Sequence, residues 1–473
     1  MKEGMKMIYD VAVLGAGVIG CAIVNKLTRL NQSVVLIEKN SDVATETSKA
    51  NSGIVHAGFD ATTGSKKAIL NVRGAKLMPK LCKELSVELN TNGALVIGND
   101  MSVVKELYDR GVANGVEGLE ILDRKNLLKL VPNITDNITC ALYAKTSAII
   151  SPYKLTIALA EEAVINGATV VFNYNTISCA KSDGIYILSN GKEKIKAKKI
   201  VLACGGEHNN IAKIIGSTTY DIKYRRGEYF LLDRNSMDLK YTIFPLPSKD
   251  SKGILISPTV HNNIIVGPTS IPCEDNSTVI TEAGLNEITE KASKMLNNVN
   301  LRKTIREFAG VRTLVGHDFV IEKDSVDDNI INVTGICSPG LTASPAIAEE
   351  VAKLLDLDIN AEKKMIRRTE CPKIANLTDE ELNKLIKKDS NFGRIVCRCE
   401  MVSMAEIIDA VNSPLKPISL DGIKRRTRAG MGRCQGGFCF MKVMEIIAKE
   451  RNMSIEDVIK ENAGSRIIVG NIK

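Results

Sequence analysis

Four cysteines close to the end of the chain, Cys397, Cys399, Cys434 and Cys439, stand in the pattern CxC, thirty-four residues, CxxxxC. Four thiolates so spaced suit tetrahedral zinc or a [2Fe-2S] cluster, with a redox-active dithiol as a third option; shorter-spaced CxxC pairs would point to a zinc ribbon. The glycines of "RAGMGRCQGGFC" free backbone amides to hydrogen-bond sulfur. Arg398, Arg428 and Arg433 could offset the negative charge of a thiolate-held cluster. The run "KRRTR", Lys424 to Arg428, reads as a partner-docking or cluster-balancing patch, because no aromatic side chains interleave with it as nucleic-acid stacking would require.

At the other end, "YDVAVLGAGVIGCAIVNKL" begins as a β-type run, breaks at Gly15, Gly17 and Gly20, and continues with apolar residues at helical spacing. A second strand, "QSVVLIEK", then ends in Glu38. This is GxGxxG between strand and helix with an acid about twenty residues on, the arrangement that binds FAD or NAD. Gly15 permits the tight turn, Gly17 lets backbone approach a pyrophosphate, Gly20 lets helix pack on strand, and Glu38 would hold ribose hydroxyls. The following stretch, with Lys39, Thr47, Ser48, Asn51, Ser52 and Gly53, is rich in small and hydroxylic residues and suits a chain passing close to the nucleotide. "KKIVLACGG" supplies a further strand and turn at Gly205. Late in the chain, "INVTGICSPGLTASPAIAEEVAKLL" is a strand, a small-residue loop and a helix whose first turn, Gly340, Leu341 and Thr342, would offer free amides. Cofactor contacts at both ends of the chain fit a flavin threaded between distant segments.

The elements needed to position these groups fit a chain of 473 residues, long enough for two or three compact units. With 44% hydrophobic and 25% charged residues the composition is that of a folded globular protein, and the near absence of aromatics (4%) predicts an aliphatic core. The net charge of +8 is spread among many acids and fits an anionic small substrate or a solvated face better than nucleic acid. The longest apolar stretch is interrupted by glycines and too short to cross a bilayer, and the N-terminus lacks a signal-peptide pattern, so a cytoplasmic protein is expected, at most peripheral at the inner face of the membrane through partners. The expected fold is α/β and α+β: a Rossmann-like domain (7–79, 146–214, 319–357) with an inserted mixed-sheet substrate domain (80–145, 215–318). A linker (358–392) carries a helix from Thr378 opened by a capping box with Glu381. A small helical iron-sulfur domain (393–450) and a tail (451–473) follow.

In the order "GAGVIG", "ETSKANSGIVHAGFD", "RRGEY", "SKGILISPT", "VGPT", "FAGVR", "SPGLTASPAIA", the chain resembles the FAD-dependent glycerol-3-phosphate dehydrogenase and oxidase family, of the D-amino acid oxidase-like group. Its terminal cysteines resemble the bacterioferritin-associated ferredoxin type of [2Fe-2S] module found on the A subunit of anaerobic glycerol-3-phosphate dehydrogenase. The resemblance implies hydride transfer from a secondary alcohol to FAD with His56 as the base, whose imidazole has an unperturbed pKa of about 6.5. It also implies substrate contacts by Lys252, Arg312 and Ser338, and electrons leaving singly through the cluster towards an acceptor protein or partner subunits. "NSGIVHAG" is similar, too, to L-2-hydroxyglutarate oxidases, and an arginine serves a carboxylate as well as a phosphate; a 2-hydroxy acid is therefore the alternative substrate. A non-catalytic electron-transfer subunit is a third possibility.

Overall fold

The computed structural model describes residues 7–247 and 253–470. Strand Ile8–Leu14 runs through the middle of an eight-stranded sheet, parallel to Lys194–Leu202 on one side and Val34–Ile37 on the other. Thr169–Val171 and Ile330–Thr334 add further parallel strands outside these two. Val34–Ile37 is buried along its whole length, the continuous apolar run of a strand covered on both faces. One cover is made by helices Val18–Arg29, Pro152–Ile165 and Gly340–Leu354, whose aliphatic residues pack with Val11, Val13 and Leu36. On the opposite face Ala12, Leu14, Val35 and Ile37 meet Tyr174, Tyr186 and Leu188.

A second, nine-stranded sheet draws on two separated stretches of chain, with strands lying between Ala94 and Ala144 and between Ile222 and Val315. It is mixed: Ala94–Gly98 pairs in parallel with Thr242–Pro245, and the remaining pairs are antiparallel. Its spine is the long pair Ile222–Leu232 and Thr304–Val315, which keeps Gly227 opposite Gly310 and Tyr229 opposite Phe308. The parallel α/β layer with a mixed sheet inserted in it matches the expected fold class.

Beyond Leu354 the chain straps back over the first layer. Lys26 pairs with Glu362 (2.5 Å), Arg367 with the buried Glu162 (2.7 Å) and Arg368 with Glu161 (2.9 Å). Helix Asp379–Lys388 follows, opened by the Thr378–Glu381 capping box. The last unit is helical, with Met404–Val411, Leu420–Thr427 and Phe440–Arg451 around Ile407, Ile423, Met444 and Ile447. Residues 451–470 do not trail away as a tail. Val458 is fully buried in this core, and Leu420 and Asp421 donate their N–H groups to the carbonyls of Ile459 and Lys460 (3.0 and 2.9 Å). Among the described residues no helix is long and apolar enough to cross a membrane.

Candidate functional site

A cavity of about 310 Å³ opens where the parallel strands end, lined by Gly15, Glu38, Ala203 and Ile336 just beyond four of them. Gly15 has φ +102°, and a Cβ there would lie 2.4 Å from the Ala203 carbonyl oxygen. A Cβ on Gly20 would lie 1.9 Å from the Gly15 carbonyl oxygen, so Gly20 lets helix Val18–Arg29 close on the turn and is itself away from the cavity. Gly17 heads that helix with no side-chain cap, and Val18 N–H donates to Ser48 Oγ at 2.8 Å. The Glu38 carboxylate accepts N–H bonds from Ala16 (2.8 Å) and Asn40 (2.9 Å); burial nonetheless raises its pKa. Lys39 lines the rim, its ammonium paired with Glu46 (3.1 Å) and Glu207 (3.2 Å).

The small-residue stretch curls along the same wall. Thr47 Oγ1 donates to the Val311 carbonyl (2.5 Å), Asn51 Oδ1 accepts from Gly53 N–H (2.9 Å), and Ser52 Oγ lies 3.3 Å from Tyr229 Oη. Gly205, at φ +53°, borders the cavity with open space where a Cβ would project. Gly340 and Leu341 also line it, at the start of a helix with no side-chain cap. Two uncapped helix ends, a close-approach glycine and a buried carboxylate beyond them suit an elongated dinucleotide: amides for phosphates, Glu38 for ribose. These residues fit FAD.

Two of the reactive side chains meet in the cavity wall. His56 Nε2 lies 3.2 Å from Ser338 Oγ, and its ring lies beside Phe244, centroids 6.0 Å apart. Thr342, expected at the cofactor, is buried behind His56: its Oγ1 accepts the His56 N–H (2.9 Å) and donates to the Ile54 carbonyl (3.3 Å). Arg312 lines the cavity from the long strand, with one guanidinium nitrogen 3.4 Å from the Thr269 carbonyl. Lys252 lies outside the described residues. Tyr229 and Phe244 also line the cavity and were not singled out from the sequence. Tyr229 stacks on Phe308, centroids 4.7 Å apart and planes 6° from parallel. The available signal was the period of two along "RRGEY", which puts Gly227 and Tyr229 on one face of their strand.

The four terminal thiols come together as two pairs. Cys399 Sγ lies 3.7 Å from Cys434 Sγ at the exposed edge, and Cys397 shares a hydrogen bond with Cys439 in the buried part. That bond lowers the pKa of Cys397 and raises that of Cys439. Two thiols for each of two irons is the division a [2Fe-2S] cluster needs.

The run "KRRTR" is not an external patch. Arg426 is buried against Asp42 (2.7 Å), and Arg425 reaches Asp42 (3.1 Å) and Glu461 (2.5 Å). Lys49, beside the flavin wall, pairs with Glu461 as well (2.6 Å). Arg428 pairs with Glu400 (2.6 Å) and Arg433 with Asp233. Arg425, Arg426, Lys49 and Arg433 therefore fasten the cysteine module to the cavity-bearing part, and the charges of Arg428 and Arg433 are answered by carboxylates rather than left for sulfur.

Comparison with known proteins agrees with both halves. Residues 10–354 match the family model described as FAD dependent oxidoreductase, and residues 395–449 match the BFD-like [2Fe-2S] binding domain. A glycerol 3-phosphate dehydrogenase of Caloramator mitchellensis is 41% identical, over 98% of this chain and 99% of that protein. The solved structure of dithionite-reduced L-alpha-glycerophosphate oxidase from Mycoplasma pneumoniae with FAD bound superposes with a TM-score of 0.71 at 29% identity. It covers 77% of this chain and 97% of its own. An L-2-hydroxyglutarate dehydrogenase of Nematostella vectensis is 25% identical, over 56% of this chain and 62% of that protein. The chain belongs to the FAD dependent oxidoreductase family, within its glycerol 3-phosphate dehydrogenase and oxidase group, and carries a BFD-like [2Fe-2S] binding domain at its C-terminal end.

Proposed function

We propose that this protein oxidises sn-glycerol 3-phosphate to dihydroxyacetone phosphate, and that the electrons leave through its [2Fe-2S] module to an electron-acceptor protein or partner subunit. The observation that carries this reading is the contact of His56 with Ser338 in the wall of a flavin-type cavity that Arg312 also lines, in a chain aligned along both modules with a glycerol 3-phosphate dehydrogenase. Bound FAD supplies the hydride acceptor, and the protein's own groups do the rest.

His56 is fixed from two sides, by Thr342 on its backbone N–H and by Ser338 at Nε2. When the Ser338 hydroxyl donates to Nε2, that nitrogen is the ring's acceptor; a substrate hydroxyl in the same position would hand its proton to it. Arg312 uses one donor on the Thr269 carbonyl and keeps the rest of its fork for a phosphate, whose charge needs a cation that does not titrate. By the family resemblance, Lys252 would add a point charge for the same phosphate. Phe244 and Tyr229 line the cavity with ring surface, which limits water there. The two cysteine pairs serve as the exit for single electrons. We place the enzyme in the cytoplasm, with any membrane association made through partners.

A 2-hydroxy acid substrate has weaker support, since the hydroxyglutarate relative matches only part of the chain at lower identity. The two readings separate in one experiment. Visible spectra of the purified protein are recorded without oxygen before and after adding glycerol 3-phosphate or L-2-hydroxyglutarate. Bleaching of the flavin by glycerol 3-phosphate alone is expected. Bleaching by the hydroxy acid alone would transfer the assignment to it, and bleaching by neither would leave a non-catalytic subunit.

A further inference from the structure

A second cavity, of about 250 Å³, lies where helix Pro152–Ile165, the turn at His261, the strap and the cysteine module meet. Most of its acids are already engaged. Glu161 pairs with Arg368 (2.9 Å) and Arg426 (3.5 Å), Glu370 pairs with Lys373 (2.9 Å), and Glu406 accepts from Ser403 in a capping box. Asp409 is held above the usual carboxylate range by burial and then by Glu161, which favours its neutral form, and Glu88 is an exposed residue at the rim.

Its donors are not so engaged. Lys154 has no ion-pair partner among the described residues, and its ammonium faces that of Lys373; burial, then this neighbour, lower its pKa to about 7. His261 Nε2 and Ser151 Oγ are buried with no hydrogen-bond partner among the described residues, and Ser151 is only 4% exposed. Buried donors left this way are costly unless something accepts from them. The charge points the same way. The charged groups that act most on His261 are the cations Arg428, Lys154, Lys373 and Arg234.

We propose that this cavity binds a phosphate group, free or in a small monoester, with Lys154, His261 and Ser151 as its donors, and that the bound anion ties the cysteine module to the flavin-binding part. Phosphate carries close to two negative charges near neutral pH and has several acceptor oxygens, so it answers converging donors that a single carboxylate would leave unmatched. The inference does not depend on which alcohol the enzyme oxidises.

The test is calorimetric titration of the anaerobic full-length holoenzyme with inorganic phosphate. It is made in the Arg312→Met background, so that the first cavity does not contribute, and repeated with glycerol 2-phosphate to distinguish the free ion from an ester. Saturable binding is expected there. Adding Lys154→Met should weaken it about 10- to 100-fold and abolish the rise in melting temperature that phosphate produces. Lys154→Met removes a buried charge, so its melting temperature without phosphate should be equal or higher. Ser151→Ala, a smaller change, should weaken binding in the same direction and serves if Lys154→Met does not fold. Absence of saturable binding in the Arg312→Met protein, or binding unchanged by both Lys154→Met and Ser151→Ala, would overturn the proposal.

Discussion

The flavin cavity and the cysteine module are built on opposite plans. The cavity is assembled from segments as far apart as Leu14 and Leu341, and much of what it offers is main chain: glycine turns and two uncapped helix ends. The module gathers its four thiols from one short stretch and is held to the rest by paired side chains, Arg425 and Arg426 on Asp42 and Lys49 on Glu461. A site made of backbone cannot be altered without altering the fold, whereas one made of side chains can be emptied while the fold stands. The two halves should therefore respond differently to single substitutions.

The largest effect should come from Gly20→Ala. Its Cβ has no room beside the Gly15 carbonyl oxygen, 1.9 Å away, and backbone on both sides cannot yield. The purified variant should lack the flavin absorption band or fail to fold; full flavin content would break the contrast. His56→Ala, a side-chain change within the same cavity, should keep the yellow colour and lose substrate-driven flavin reduction by about 10² to 10⁴ in stopped flow. Reduction within a few-fold of the parent would remove His56 from proton transfer.

Asp42→Ala probes the join between the two halves. It leaves two buried guanidinium groups short of a carboxylate, and breaking a buried pair of this kind costs about 3–5 kcal/mol. The expected sign is a lower-temperature unfolding step and faster proteolysis between residues 358 and 392. Arg312→Ala should act on substrate affinity, by roughly 10- to 150-fold for one charged hydrogen-bonding group. Unchanged affinity with lowered stability would make Arg312 a structural residue instead. The mildest test is acid. Burial pushes the Asp42 pKa up, but Arg426 and Arg425 outweigh it and hold the carboxylate below its ordinary value. Its contribution is then complete above the unfolded value of about 3.9 and is lost as the pH falls through the lower folded value. The proteolysis difference between the parent and Asp42→Ala should persist at neutral pH and close only below about pH 4.

Much of this was legible before any coordinates. The glycine spacing located the turn and Glu38 beyond it because the geometry of a dinucleotide fold leaves few ways to write it, and the Thr378 capping box announced its helix. The [2Fe-2S] cluster was legible through the resemblance of the terminal motif, as the family match bears out, whereas spacing alone gives the number of thiols and not their division into two pairs. Nor could "KRRTR" be read correctly. Its partner Asp42 lies hundreds of residues away, and a basic run looks alike whether it meets solvent or a buried carboxylate. Tyr229 and His261 were passed over for the same reason: their surroundings come from other strands and from the strap, and only tertiary structure brings these together.

The central claim is that electrons taken from glycerol 3-phosphate pass from the flavin part to the cysteine module. It is tested most directly by adding glycerol 3-phosphate anaerobically to the parent and to Cys399→Ser, while following flavin absorbance and the electron paramagnetic resonance of the reduced cluster in each. The account predicts flavin bleaching at close to the same rate in both proteins, with a reduced-cluster signal in the parent and none in the variant. A parent whose flavin bleaches while its intact, chemically reducible cluster stays silent would contradict it.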